Sequence, residues 1–160
     1  MKKIILLTTL LFLGSSLHSQ TSLTMDNVTK YGSTIIKPTW DNLSELLFCD
    51  MSTFKATMKK YNYSVATDGS GYIANTSVGT PYYSVQKSNT DIMMVFTEDG
   101  GFASSFRSEI KKLLGGGNVK YEGNYEVYYA TIKSDGYTYN IKIAIKENMN
   151  GSSSMGIIKL

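Results

Sequence analysis

The sequence predicts an α+β domain, with two helices packed on one face of a mainly antiparallel sheet. Three observations carry that expectation: an apolar rhythm of three and four residues over 40–61 and 103–114, a rhythm of two in the segments after each, and turn-forming residues between those segments. Helix followed by three strands occurs twice, which suggests an internal duplication.

Residues 1–19 stand apart from that domain. Lys2 and Lys3 lead into an apolar run from Ile4 to Gly14, too short to span a bilayer, and then into small polar residues ending at Ser19. This is the pattern of a secretory signal peptide, and the two-lysine start resembles leaders of exported proteins of the Bacteroidota. Cleavage after Ser19 predicts a periplasmic or secreted protein beginning at Gln20, with no later membrane-spanning segment. The leader also holds His18, the one histidine. A chain without it has no imidazole for general-base, nucleophile-activating or metal-binding work.

Of 160 residues, 141 remain after the cut, enough for one domain with an ordinary core. The 16 basic residues lose Lys2 and Lys3, leaving 14 against 13 acidic, a net of +1. No basic block exceeds a lysine pair, so nucleic acid is excluded as an expected partner. Cys49, the single cysteine, cannot form an internal disulfide and falls within the first helical pattern, where a buried, inert thiol is expected.

Residues 20–39 read as an N-terminal arm with one short strand at most, and 40–160 as the domain. In the first helix Leu43, Leu46, Leu47, Phe54, Met58 and Tyr61 form the stripe, Thr39, Asp41 or Asn42 caps the start, and Lys59-Lys60 complement the negative end. Strands are expected at 72–77, 82–87 and 92–97. In the second helix Phe102, Phe106, Ile110 and Leu113 share one stripe, and Gly115-Gly116-Gly117 ends it. Strands follow at 119–121, 125–133, 137–147 and 155–160. For the duplication, Phe54–Lys60 lies over Phe106–Lys112, and Ile92-Met94-Phe96 over Ile141-Ile143-Ile145.

Asp135-Gly136 is a two-residue hairpin turn and fixes a register, because both central residues must take positive φ. Ser134 then pairs with Tyr137, Ile132 with Tyr139, Ala130 with Ile141 and Tyr128 with Ile143, all on one apolar face. Tyr125, Val127, Tyr129 and Thr131 go to the other, opposite Lys146, Ala144, Lys142 and Asn140. In the earlier hairpin, Lys87 opposite Ile92 puts Tyr83, Val85, Met94 and Phe96 inside and Tyr82, Gln86, Met93 and Val95 outside. Helices on one side leave the other open, and tyrosine beside lysine and methionine is a recognition composition. The expected partner-binding residues are therefore Tyr125, Tyr129 and Lys142, extended by Tyr82 and Met93.

Other motifs give less. Gly115–Gly117 follows a helix instead of opening one, and Asp99-Gly100-Gly101 lacks phosphate-loop spacing, so both read as turns or caps. The carboxylate pairs Glu122 with Glu126 and Glu98 with Asp99 are the nearest candidates for glycosidase-like chemistry. No calcium-loop spacing occurs, and no metal or cofactor is expected.

The order of elements over most of 40–147, with its aromatic open face, resembles the two-repeat fold of secreted β-lactamase-inhibitor proteins. That resemblance implies a binding mode, an open sheet face gripping a protein, and no catalytic activity. The expected function is thus a non-enzymatic exported binding protein of inhibitor, immunity or envelope-assembly type. The alternatives are a small-ligand or lipid carrier with a cavity between helices and sheet, and a hydrolase working through carboxylates.

Overall fold

The computed structural model describes residues 21–76, 82–116 and 119–160. The expected leader lies outside them, as do Ser77 and Gly117.

The segment read as an arm is a hairpin. β1 (Asn27–Lys30) and β2 (Ser33–Ile36) pair through a turn at Tyr31-Gly32, both with positive φ. It folds into the domain: Met25, Ile35 and Ile36 join the main core cluster. The Tyr61 hydroxyl accepts from the Met25 N–H at 2.7 Å, and the Asn42 side chain bonds the backbone of Asp26 and Lys37.

The single helix expected over 40–61 is two, so the described residues hold three helices. α1 (Trp40–Phe48) starts from Thr39, whose hydroxyl accepts from the Asn42 amide, so Thr39 is the cap among the three candidates. Cys49 and Asp50 then turn extended, and α2 (Met51–Lys60) begins. Asp50 causes the break. Its carboxylate accepts from the Thr53 amide at 2.7 Å and from the Ser52 and Thr53 hydroxyls, satisfying a new helix start that a continuous helix would not need.

After α2, Asn62 takes φ 58° and turns the chain into a strand that periodicity did not show, β3 (Tyr63–Val65). β4 (Tyr72–Ala74), β5 (Tyr83–Lys87) and β6 (Asp91–Phe96) complete a four-strand meander. α3 (Phe102–Leu113) starts where Asp99, buried, accepts from the amides of Gly101 and Ala103 and from the Ser153 hydroxyl. Gly115 and Gly116 end it with positive φ. A second meander follows: β7 (Lys120–Glu122), β8 (Tyr125–Ser134), β9 (Tyr137–Glu147) and β10 (Ser153–Lys159).

The two meanders form one eight-stranded antiparallel sheet in the order β3-β4-β5-β6-β10-β9-β8-β7. Each half is thus a helical segment and four strands, and the halves join through their last strands. The sequence match is in phase for the helices, where Phe54 and Phe106, and Met58 and Ile110, are all buried. It is out of phase for the strands, because the positional counterpart of β6 is β10, not β9. The shared order does not establish a duplication.

Both expected registers are observed: Lys87 faces Ile92, and Ser134 faces Tyr137 across Asp135-Gly136, with φ 49° and 79°. The helices and the hairpin cover one face. Leu47, Phe54, Phe106 and Ile110 share one core cluster with Tyr83, Met94, Tyr128, Ile141, Ile143 and Ile157, and no position of the opposite face belongs to it. Arg107 ties α3 to this inner face, its Nε donating to Glu126 at 2.6 Å and its terminal nitrogen to Glu147 at 3.1 Å. Cys49 departs from expectation: it is the half-buried residue that follows α1 and caps its C-terminus, and burial raises its thiol pKa while Lys87 opposes the rise.

Candidate functional site

All five expected partner-binding residues lie on the sheet face opposite the helices. Tyr129 pairs directly with Lys142 across β8 and β9, and Tyr125 lies on the same face two steps back along β8, beyond Val127, where β8 pairs with β7. Met93 reaches that face from β6, on the far side of β10, where Gly156 has no side chain. A Cβ on Gly156 would stand 3.1 Å from the Met93 sulfur, so the glycine is what lets Met93 lie across the central strand. The five do not all meet. Tyr125, Lys142 and Met93 line a shallow cavity of about 130 Å³ with Glu122, Val127 and Ile158. Tyr125 and Met93 also border a second one of about 410 Å³ with Val95, Lys146, Asn148 and Ser154. Tyr82, 39% exposed just before β5, lines neither, and its backbone pairs with Thr97.

The middle of this face is apolar. Val127 and Ala144 are 1% and 5% exposed although no helix covers them, and both line the smaller cavity beside Tyr125, Met93 and Lys142. The polar groups form the rim. Glu122 accepts from the Tyr129 hydroxyl and pairs with Lys142 at 3.2 Å. Those two bonds hold the Glu122 carboxyl below its usual pKa, and the same carboxylate raises the Tyr129 phenol. Lys120 stands 5.1 Å from the Tyr129 ring centre and Lys146 5.6 Å from that of Tyr125. The sequence reading placed Lys146 opposite Tyr125 on this face but missed Glu122 and Lys120 as members of the cluster. The available signal was Gly123-Asn124, a two-residue turn that sets Glu122 opposite Tyr125.

The carboxylate pairs do not converge. Glu122 is on the outer face and Glu126 on the inner one, where the Arg107 guanidinium and Tyr128 hydroxyl engage it. Exposed Glu98 accepts from Tyr31, while buried Asp99 caps α3. Among the described residues no three acidic, cysteine or histidine side chains come together as a metal site, and no helix is long and apolar enough to cross a membrane.

No protein-family model matches the chain, and no curated protein or solved structure matches it. The resemblance to β-lactamase-inhibitor proteins rests on element order and on the aromatic face alone.

Proposed function

We propose that this is an exported binding protein, without catalytic activity, that grips a protein partner with the outer face of its sheet. One observation carries the reading: helices and hairpin pack on the inner face, leaving an outer face with an apolar middle and a rim of tyrosines and lysines. An apolar centre ringed by amphipathic side chains is the composition of protein interfaces, whose centre is desolvated when the partner docks. Lys120, Lys142 and Lys146 outnumber Glu122 there, which favours a partner surface carrying carboxylates. The carrier alternative would have to use the wider space between α1 and the end of β8, about 430 Å³, whose lining mixes Leu23, Trp40, Phe48 and Ile132 with Ser44, Glu45, Lys133 and Asp135 and opens to solvent, unlike the mostly apolar, enclosing pockets that hold small ligands.

Capture from an envelope lysate tests this when the bait is varied. A Tyr125→Ala/Tyr129→Ala bait should lose a species that the parent and Lys55→Ala retain, Lys55 being exposed on the helical side. Equal capture by all three baits refutes the outer face as the site.

A further inference from the structure

We infer that the edge of β8 binds an extended acidic peptide as an added strand, with one bulky apolar side chain seated between α3 and the sheet. This surface is separate from the outer face and does not depend on that reading. β8 spans Tyr125–Ser134, but its outer neighbour β7 pairs with it only from Tyr125 to Val127. The hairpin decides which backbone groups are left over. Ser134 and Tyr137 close a two-residue turn and exchange hydrogen bonds, so Ile132 and Ala130 also bond β9. Thr131 and Lys133 alternate with them and aim their N–H and C=O groups away from β9. No backbone bond on that side is made by either residue among the described residues.

A cavity of about 230 Å³ sits beside the same residues, between Trp40, Ile110, Leu113, Leu114, Ala130 and Ile132. Thr131 lines it too, although its side chain belongs to the outer face, so the cavity reaches the free backbone. A strand added at Thr131 and Lys133 would set the residue opposite Ile132 on the inner face, aimed into that space. The cavity's size suits one leucine or phenylalanine side chain. Charge selects the rest of the peptide. Lys112 and Lys133 flank the lining positions on α3 and β8; Lys111 beside them sits 3.7 Å from Glu126, and the nearby Glu109 carboxylate is taken up by the Trp40 amide at 3.0 Å.

The test titrates the folded chain with extended heptapeptides that carry glutamate at both ends and leucine, phenylalanine, alanine or lysine at the centre. Amide exchange at Thr131 and Lys133 reads strand addition, and fluorescence of Trp40, the one tryptophan, reads the cavity. Leucine and phenylalanine peptides should slow both amides and shift the emission, the alanine peptide should bind roughly tenfold more weakly, and the lysine peptide should not bind. Thr131→Pro removes a donor that β9 does not use, and Ala130→Leu fills the cavity, so each should weaken binding by about tenfold. Should the proline variant not fold, Ala130→Leu and the exchange data suffice. Three results would overturn the proposal: no protection of either amide at millimolar peptide, binding indifferent to Ala130→Leu, or peptide-free protection rising with protein concentration, which would assign the edge to a second copy.

Discussion

Glu126 should contribute stability that disappears in acid. Its carboxylate accepts from Arg107 at 2.6 Å and from the Tyr128 hydroxyl, with Lys111 at 3.7 Å, and the Arg107 and Glu126 side chains are only 25% and 10% exposed. An exposed pair is worth at most about 1 kcal/mol, and breaking a fully buried one costs about 3–5, so this half-buried pair should couple by about 2 kcal/mol. Burial by itself would raise the Glu126 pKa; the Tyr128 bond, the guanidinium and Lys111 outweigh it and hold the carboxyl below its ordinary value. A lowered folded pKa means the contribution is complete above the unfolded value of about 4.3 and is lost as pH falls through the lower folded one. The assay is urea unfolding of the parent, Arg107→Met, Glu126→Gln and the double variant, at pH 7 and pH 3. Coupling below about 0.5 kcal/mol at pH 7, the scale of an exposed pair, would refute the reasoning, as would coupling that persists unchanged at pH 3.

Asp50→Ala should cost about 1 kcal/mol, read as a lower urea midpoint, because it removes the α2 cap; an unchanged midpoint would mean that the break survives without it. Gly156→Ala should cost roughly 1–3 kcal/mol, measured the same way, since its Cβ would stand 2.5 Å from the Ile92 carbonyl in the middle of the sheet. Cys49 should react with thiol reagents slowly at neutral pH and faster as pH rises, because burial raises its pKa and the thiolate is the nucleophile. Labelling at pH 7 as fast as that of a free thiol peptide would contradict this.

Local signals were legible in the sequence and non-local ones were not. Asp135-Gly136 carried a register into the fold because only a few residue types accept its backbone angles. The alternation it implied then put Tyr125, Tyr129 and Lys142 on the outer face. The break at Cys49-Asp50 was hidden because the apolar stripe runs through it: Leu46, Leu47, Phe54 and Met58 are buried on both sides of the break. Periodicity reports burial and does not report whether the backbone is continuous. β3 and the first hairpin were too short for an alternation to stand out, although Tyr31-Gly32 resembled the turn that was read. The place of β10 could not be read, since its pairing with β6 joins Ser153 to Phe96 far back in the chain. The pairing of Glu122 with Lys142 was missed because it spans three strands.

The central position of β10 has a kinetic consequence. β3–β6 and β7–β9 can each assemble from neighbours in sequence, but β10 alone joins them, pairing with β6 on one side and β9 on the other. Until Ser153–Lys159 docks, Ile92, Met94, Ile143 and Ile145 lie on strands with an unsatisfied edge, in two half-sheets that are each open to wrong partners. Closing the sheet is therefore a long-range step that follows local ones, and it should set the folding rate. During synthesis the nascent chain carries both edges until this strand emerges, so any holding factor acts in that interval, and substitutions in β10 should change the yield of folded protein more than its final stability implies.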